Sequence, residues 1–465
     1  MQEHRERLEA WDKAYLWHPF VQMQEYLKEQ PLIIKEGHGV ILKDIYDKEY
    51  IDGVSSMWCN IHGHRKKEID DAIKAQLDRV AHTTLLGPSS IPAIELAKKL
   101  ADISPGGLNK VFYSDNGSTA VEVAIKMAFQ YWQQKSPQPP FNKGGGEGFK
   151  SKTKFVALQN AYHGDTIGTV SLGGVPIFHS MFKPLLFETL FAPSPNCYRC
   201  PQDKTPSTCS MDCLNALEEI LSKNAPEIAA VVIEPLVQGA GGMIVHPKGY
   251  LAGVRNLCTR YNVLLITDEV LVGFGRTGKM FACLHENVTP DIMALSKGIN
   301  GGYMPLAATL ATDEVYNAFL GEYKELKTFF HGHTYTGNPL ACAAAIASIE
   351  IFEKEKVLEN LQPKIQSLEQ RLREFTSLRY VGDVRQCGLI AGIELVKDKE
   401  TREPFVWEER VGIKVSSEAR RLGLFIRPLG NVIVIMPPLC IEVDQLDRMM
   451  DIIFESIKIV TEQKA

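Results

Sequence analysis

The chain has 465 residues, 45% hydrophobic and 23% charged, an ordinary globular composition with material for a large core. A formal net charge of −5 gives no support to nucleic acid or an anionic membrane surface as a partner. The opening stretch MQEHRERLEAWDKAYLWHPF lacks the apolar core of a secretory signal, and no apolar run approaches the roughly 20 residues that span a bilayer, so a soluble cytoplasmic protein is expected.

Residues 1–75 hold short strand patterns, PLIIKEGHGVILKD and EYIDG, followed by SSMWCNIHGH. From 76 to 345, apolar runs alternate with helical periodicity. VFYS (111–114), KFVAL (154–158), AAVVIE (229–234), VLLIT (263–267) and IMALS (292–296) read as buried strands. Thr119 to Trp132 reads as a helix, with Val121, Ala124, Ile125, Ala128 and Trp132 on one face. Such alternation predicts an α/β fold, a mostly parallel sheet between helices with its ligands outside the carboxyl ends of the strands. KSPQPPFNKGGGEGFKSKTK (135–154) reads as a surface insertion, and ACAAAIASIEIF (341–352) as a buried helix. From 346 onward a charged helix, the strand LIAGIEL, a helix at 411–422 and a strand pair, LFIRP with VIVIMPP, predict a small α+β lobe. The expected division is therefore 1–75, 76–345 and 346–465, with no internal repeat.

Most of the ten cysteines read as small buried hydrophobes. Cys197, Cys200, Cys209 and Cys213 form a C-x2-C and a C-x3-C before a helix at 212–223. The first pair resembles a metal knuckle, but the second has loose spacing, and free thiols or a redox pair fit equally. GFGRTGK (273–279) matches G-x-G-x-x-G and most of a phosphate-loop pattern, but without the context that either needs. Met280 stands where a phosphate loop needs Ser or Thr, and Asp268 and Glu269 separate the glycines from their strand. These glycines read better as shaping a loop that presents Arg276.

In DIMALSKGINGGYMPL (291–306) an apolar strand ends at Lys297, just before glycines. Alone, it reads as a lysine whose ammonium stays in water. Its neighbours in the predicted sheet change that. Strand VLLIT runs into Asp268, and VFYS into Asn116, Gly117 and Ser118 at a helix mouth suited to phosphate. KFVAL leads to Tyr162, His163, Gly164 and Asp165. Singly, Asp268 and Ser118 could be helix caps and Tyr162 a surface aromatic. Together, a phosphate cradle, an aromatic plate, a carboxylate and a reactive amine match pyridoxal 5′-phosphate. Lysine forms an imine with its aldehyde, and the aspartate keeps its ring nitrogen protonated.

The order SDNGSTAVEVAIK, YHGD, EPLVQGAGG, DEVLVGFGRTG, SKG and HTYTGNPLACA resembles the class III aminotransferases of fold type I over nearly the whole chain. That resemblance implies a large cofactor-binding domain, a small α+β domain built from both chain ends, and a homodimer with composite active sites. It implies catalytic roles for Lys297, Asp268 and Tyr162, and phosphate contacts from Gly117 and Ser118. His333 and Thr334, after Gly332, would reach the phosphate from the second subunit. Arg427 would bind a substrate carboxylate, and Asp165 and Arg276 would line the site. WHPF, DGVSSMW, HGH, AHTTLLG and IRPLGNVIVIMPP are similar, more narrowly, to the branch of the family that converts 8-amino-7-oxononanoate to 7,8-diaminononanoate in biotin synthesis. Members of that branch using S-adenosylmethionine commonly carry Tyr, Trp and Tyr where this chain has Phe20, Met57 and Val434, with Trp58 retained. Fewer rings favour a simpler donor such as lysine over S-adenosylmethionine. The alternatives are an ω-amino acid or 4-aminobutyrate aminotransferase and a non-catalytic cofactor-binding protein, the latter having no need of a proton-transfer base. No metal is expected.

Overall fold

The computed structural model describes residues 2–135, 152–205 and 207–462. Most of the insertion expected over 135–154 lies outside the described residues. The largest sheet has seven strands. Lys154–Leu158, Thr189–Ala192, Ile228–Ile233, Leu264–Asp268 and Ile292–Leu295 run parallel. Ala307–Thr312 runs against both Ile292–Leu295 and Leu108–Ser114. Two reversals return Leu108–Ser114 to the direction of the parallel five. All of their carboxyl ends therefore meet at one edge.

Ile228–Ile233, Leu264–Asp268 and Ile292–Leu295 are buried at every position, as strands covered on both faces must be. Alternation along each strand feeds two cores. Val231, Ile233, Leu265, Met293 and Leu295 face one. Ala230, Val232, Leu264, Ile266 and Ala294 face the other, where Val121, Ala124, Ile125 and Ala128 of the helix Gly117–Lys135 pack. Sequence periodicity thus located five of the seven strands. Thr189–Ala192 and Ala307–Thr312 escaped it, the first for its brevity and the second for its small residues (AATLAT).

Ile34–His38, Ile41–Asp44 and Glu49–Asp52 form a second sheet, completed by Leu424–Phe425 lying parallel to Ile51 and Asp52. Val432–Ile435 instead pairs with Ile390–Asp398. The strand pair expected from LFIRP and VIVIMPP is therefore not a pair: the two segments join different sheets, one closing on the N-terminal strands. Among the described residues no helix is long and apolar enough to cross a membrane.

The GFGRTGK loop does present Arg276, but inward. The side chain is 1% exposed and donates to the carbonyls of Pro437 and Asn60, while its own carbonyl accepts from Leu389. One residue thereby ties the chain's two end segments to the large sheet. Loss of water around the guanidinium lowers its pKa to about 10. Arg276→Ala leaves two buried carbonyls without donors and should lower the stability measured by chemical denaturation by about 3 kcal/mol. An unchanged denaturation midpoint would show that the tie is replaced.

Candidate active site

A cavity of about 630 Å³ opens at the carboxyl edge of the large sheet, lined by Lys297, Asp268, Tyr162, Gly117, Ser118 and Trp58 among others. Asp268 ends its strand and is 4% exposed. One carboxylate oxygen lies 2.7 Å from Nδ1 of His163, and the other accepts from the Val270 N–H at 3.0 Å. His163 is buried, and burial alone would lower its pKa. The Asp268 hydrogen bond and charge, with Glu234 beyond, raise it overall. Glu234 accepts from the N–H groups of Gly239 and Tyr162. Desolvation lifts its pKa to about 7, with His163 opposing.

Lys297 follows the strand Ile292–Leu295 in a left-handed backbone conformation, φ 43°. Such conformations cluster at functional positions because the surrounding structure must hold them. Here Ser296 donates its hydroxyl to the Leu306 carbonyl. Desolvation lowers the pKa of Lys297, against the charges of Asp268 and Glu234. Its ammonium lies 4.8 Å from the centre of the Trp58 ring. Trp58 is delivered by a rare device: Ser55, Ser56, Met57 and Trp58 all have positive φ, between 48° and 71°. Asp52 holds this left-handed turn by accepting from Ser56 N–H and hydroxyl, and Ser55 anchors it to the Met436 carbonyl. His64 reaches the same Asp52 carboxylate at 3.1 Å.

Gly117 and Ser118 begin a 19-residue helix, whose first N–H groups have no carbonyl one turn back. Their surroundings demand glycines. A Cβ on Gly117 would come within 2.6 Å of Val270, and one on Gly164 within 1.8 Å of the Ser118 hydroxyl. That hydroxyl accepts from the Asp165 N–H. Tyr162 donates its own hydroxyl to Asp165 at 2.8 Å, and burial keeps its phenol protonated. An amine, a carboxylate, an aromatic wall and an open helix N-terminus thus share one cavity, and this set fits a phosphorylated pyridine aldehyde.

Of the expected residues, Lys297, Asp268, Tyr162, Gly117, Ser118, Met57 and Trp58 line the cavity. Asp165 stands just behind, held by Tyr162 and Ser118. Phe20 is 58% exposed, and its carbonyl accepts from Arg427. Arg276 does not line the site, because its guanidinium is sealed against backbone carbonyls elsewhere. Val434 is not a pocket residue either: it is fully buried in the strand Val432–Ile435. Gly332, His333 and Thr334 are outside the cavity of their own chain. His163 and Glu234 are central here, yet only their places after strands KFVAL and AAVVI hinted at it. The four clustered cysteines are free thiols, and among the described residues no three His, Cys, Asp or Glu side chains are placed to hold a metal.

Residues 23–457 match the family described as aminotransferase class-III. Over 98% of both chains, this one is 57% identical to the adenosylmethionine-8-amino-7-oxononanoate aminotransferase of Geobacter sulfurreducens. It is 54% identical to that of Aquifex aeolicus, over 97% of each. The crystal structure of the Methanocaldococcus jannaschii enzyme of the same name is 48% identical and superposes with a TM-score of 0.91, covering 98% of this chain and 99% of the other. An (S)-enantioselective omega-transaminase from Thermomicrobium roseum superposes equally, TM-score 0.91 over 98% and 99%, at 34% identity.

Glu234 provides a test of this buried charge set. Its pKa lies at about 7 in the folded chain, above its ordinary 4.5. The folded state therefore holds a proton that the unfolded chain has released between those pH values. Its contribution to stability falls as pH rises through that window and is constant above it. In Glu234→Gln the fall should disappear, a difference of about 3 kcal/mol between the two pH profiles, read by denaturation of the cofactor-free protein from pH 4.5 to 8. Parallel profiles would mean that Glu234 is ionised throughout.

Proposed function

The chain belongs to the class III aminotransferases, and on that premise we propose that it converts 8-amino-7-oxononanoate to 7,8-diaminononanoate in biotin synthesis. The observation that carries the reading is the meeting of Lys297, Asp268, Tyr162 and the Gly117–Ser118 turn in one cavity. High identity to relatives of that name supports the substrate. Pyridoxal phosphate is the cofactor, and it supplies an aldehyde that takes up the donor's amine and a ring that accepts an electron pair.

The chain's own groups supply the rest. Asp268, hydrogen-bonded to His163, would pair with the cofactor's protonated ring nitrogen. Lys297 would hold the cofactor through Nζ, and its free amine would carry a proton between the donor's α-carbon and the cofactor. Its lowered pKa favours the neutral amine that this role needs. Tyr162 flanks the ring, and Gly117 and Ser118 receive the phosphate through backbone N–H groups and a hydroxyl. Arg427 takes the donor's carboxylate in its planar fork, with Phe20, Met57, Trp58 and Asp165 around it. Burial lowers the Arg427 pKa, and a guanidinium fork suits a carboxylate in two parallel hydrogen bonds.

The protein acts as a cytoplasmic homodimer in this reading, divided at 1–75, 76–345 and 346–465. Gly332, His333 and Thr334 complete the partner's phosphate site. S-adenosylmethionine is the amino donor. Two considerations reverse the expectation drawn from positions 20, 57 and 434. The name of the relatives includes adenosylmethionine, and Val434 is outside the pocket, so a ring lost there removes nothing.

A steady-state comparison of 8-amino-7-oxononanoate with short ω-amino acid couples tests the substrate. At least a hundredfold higher kcat/KM for the former is expected, and the reverse order would overturn the assignment. Lys297→Ala should bind cofactor yet lose turnover by about 10⁴-fold or more, with circular dichroism unchanged. Mixing that variant with inactive Thr334→Ala should restore activity after subunit exchange, since hybrids hold one site with neither lesion. No recovery would place Thr334 in its own subunit's site.

A further inference from the structure

Against Tyr162, which lines the cavity, stand two rings that no sequence motif marked, Phe178 and His179. Phe178 stands in the four-residue helix Pro176–His179. Its ring meets Phe20 edge to face, 5.5 Å between centres at 79°, and meets Tyr162 at 6.2 Å and 81°. The next residue, His179, stacks parallel to Tyr162, 12° between planes. This segment is seated tightly. A Cβ on Gly173 would strike the His179 ring at 2.1 Å, and one on Gly174 would strike the Leu158 carbonyl at 2.5 Å. Phe20 is fixed from the other side, where Arg427 donates to its carbonyl.

The placement bears on the donor. A donor whose carboxylate sits on Arg427 lies beside Phe20, and so within reach of the Phe20–Phe178 ring pair. Two rings at right angles offer its side chain an electron-rich face beside a positive edge. A flat heterocycle stacks on such a face, and a cationic sulfur is attracted to it. We propose that Phe178, paired with Phe20, is a specificity-determining residue for the amino donor: together they form the wall that receives the adenosyl and sulfonium part of S-adenosylmethionine. The inference rests on the aminotransferase reading of the site. Phe178 supplies the aromatic surface that Met57 lacks, from a segment distant in sequence.

The donor half-reaction of the holoenzyme, followed by the change in cofactor absorbance, tests this. Phe178→Ala should lower kcat/KM for S-adenosylmethionine about tenfold, the order expected for one lost ring contact. Phe178→Tyr should keep it within about twofold. The dissociation constant of S-adenosylhomocysteine, which retains the adenine and needs no turnover, should rise about tenfold in Phe178→Ala by calorimetry. Amination of 8-amino-7-oxononanoate by the pyridoxamine-phosphate form should stay within about twofold, which separates a donor wall from general damage. Unchanged values for both adenosyl compounds, or an equal loss in both half-reactions, would overturn the proposal. If the wild-type protein does not aminate 8-amino-7-oxononanoate, the pathway reading falls, while the two adenosyl measurements still decide the role of Phe178.

Discussion

One buried carboxylate governs the architecture of this site. A lone anion at the position of Asp268, 4% exposed, would cost several kcal/mol and would be relieved by protonation. His163 answers that carboxylate with a hydrogen-bond contact at 2.7 Å. The same dry surroundings then act on every neighbour. They push Glu234 toward keeping a proton and Lys297 toward losing one. A cluster in which Glu234 and Lys297 are both shifted toward neutrality costs less to bury than four full charges. It also leaves the carboxylate able to face a cationic ring and the lysine able to act as a base.

Burial of that cluster depends on backbone that resists folding by itself. Lys297 and four consecutive residues, Ser55 to Trp58, adopt left-handed conformations, each costing on the order of 1–2 kcal/mol for a residue with a side chain. The turn persists because Asp52 satisfies Ser56 and because Ser55 reaches Met436, almost four hundred residues later. Arg276 adds a second bridge from the large sheet to Asn60 and Pro437. The N-terminal strands, the C-terminal strands and the large sheet must therefore assemble together before Trp58 meets Lys297. Both chain ends are part of the cavity's construction, far as they are from its chemistry in sequence.

This division explains what could be read from the residues alone. The buried strands declare themselves by continuous apolar runs, and a sheet topology rule then places Asp268, Ser118, Tyr162 and Lys297 on a common edge. Arg276 and Val434 stand outside the cavity lining, because motif position says which residues travel together and not which way a side chain turns. Arg276 sits in a motif shared with catalytic neighbours yet points into carbonyls. Val434 alternates inward on its strand. His163 was quoted within YHGD, but its bond to Asp268 spans 105 residues, beyond any local pattern. Phe178 left no signal at all, since it lies in a short irregular segment whose ring contacts are all tertiary.

That last contrast separates reaction from selection. Lys297, Asp268, Tyr162 and Ser118 stand at or just past the ends of strands in a sheet covered on both faces, where a shift of one residue would disturb two cores. Phe20 lies between two helices of the exposed N-terminal segment, and Phe178 in a single helical turn bounded by glycines and proline. A scaffold arranged this way can exchange the surface that greets an amine while its amine-transfer machinery stays fixed. The residues that would greet a donor come from separate loops, and their part has to be read from contacts in three dimensions.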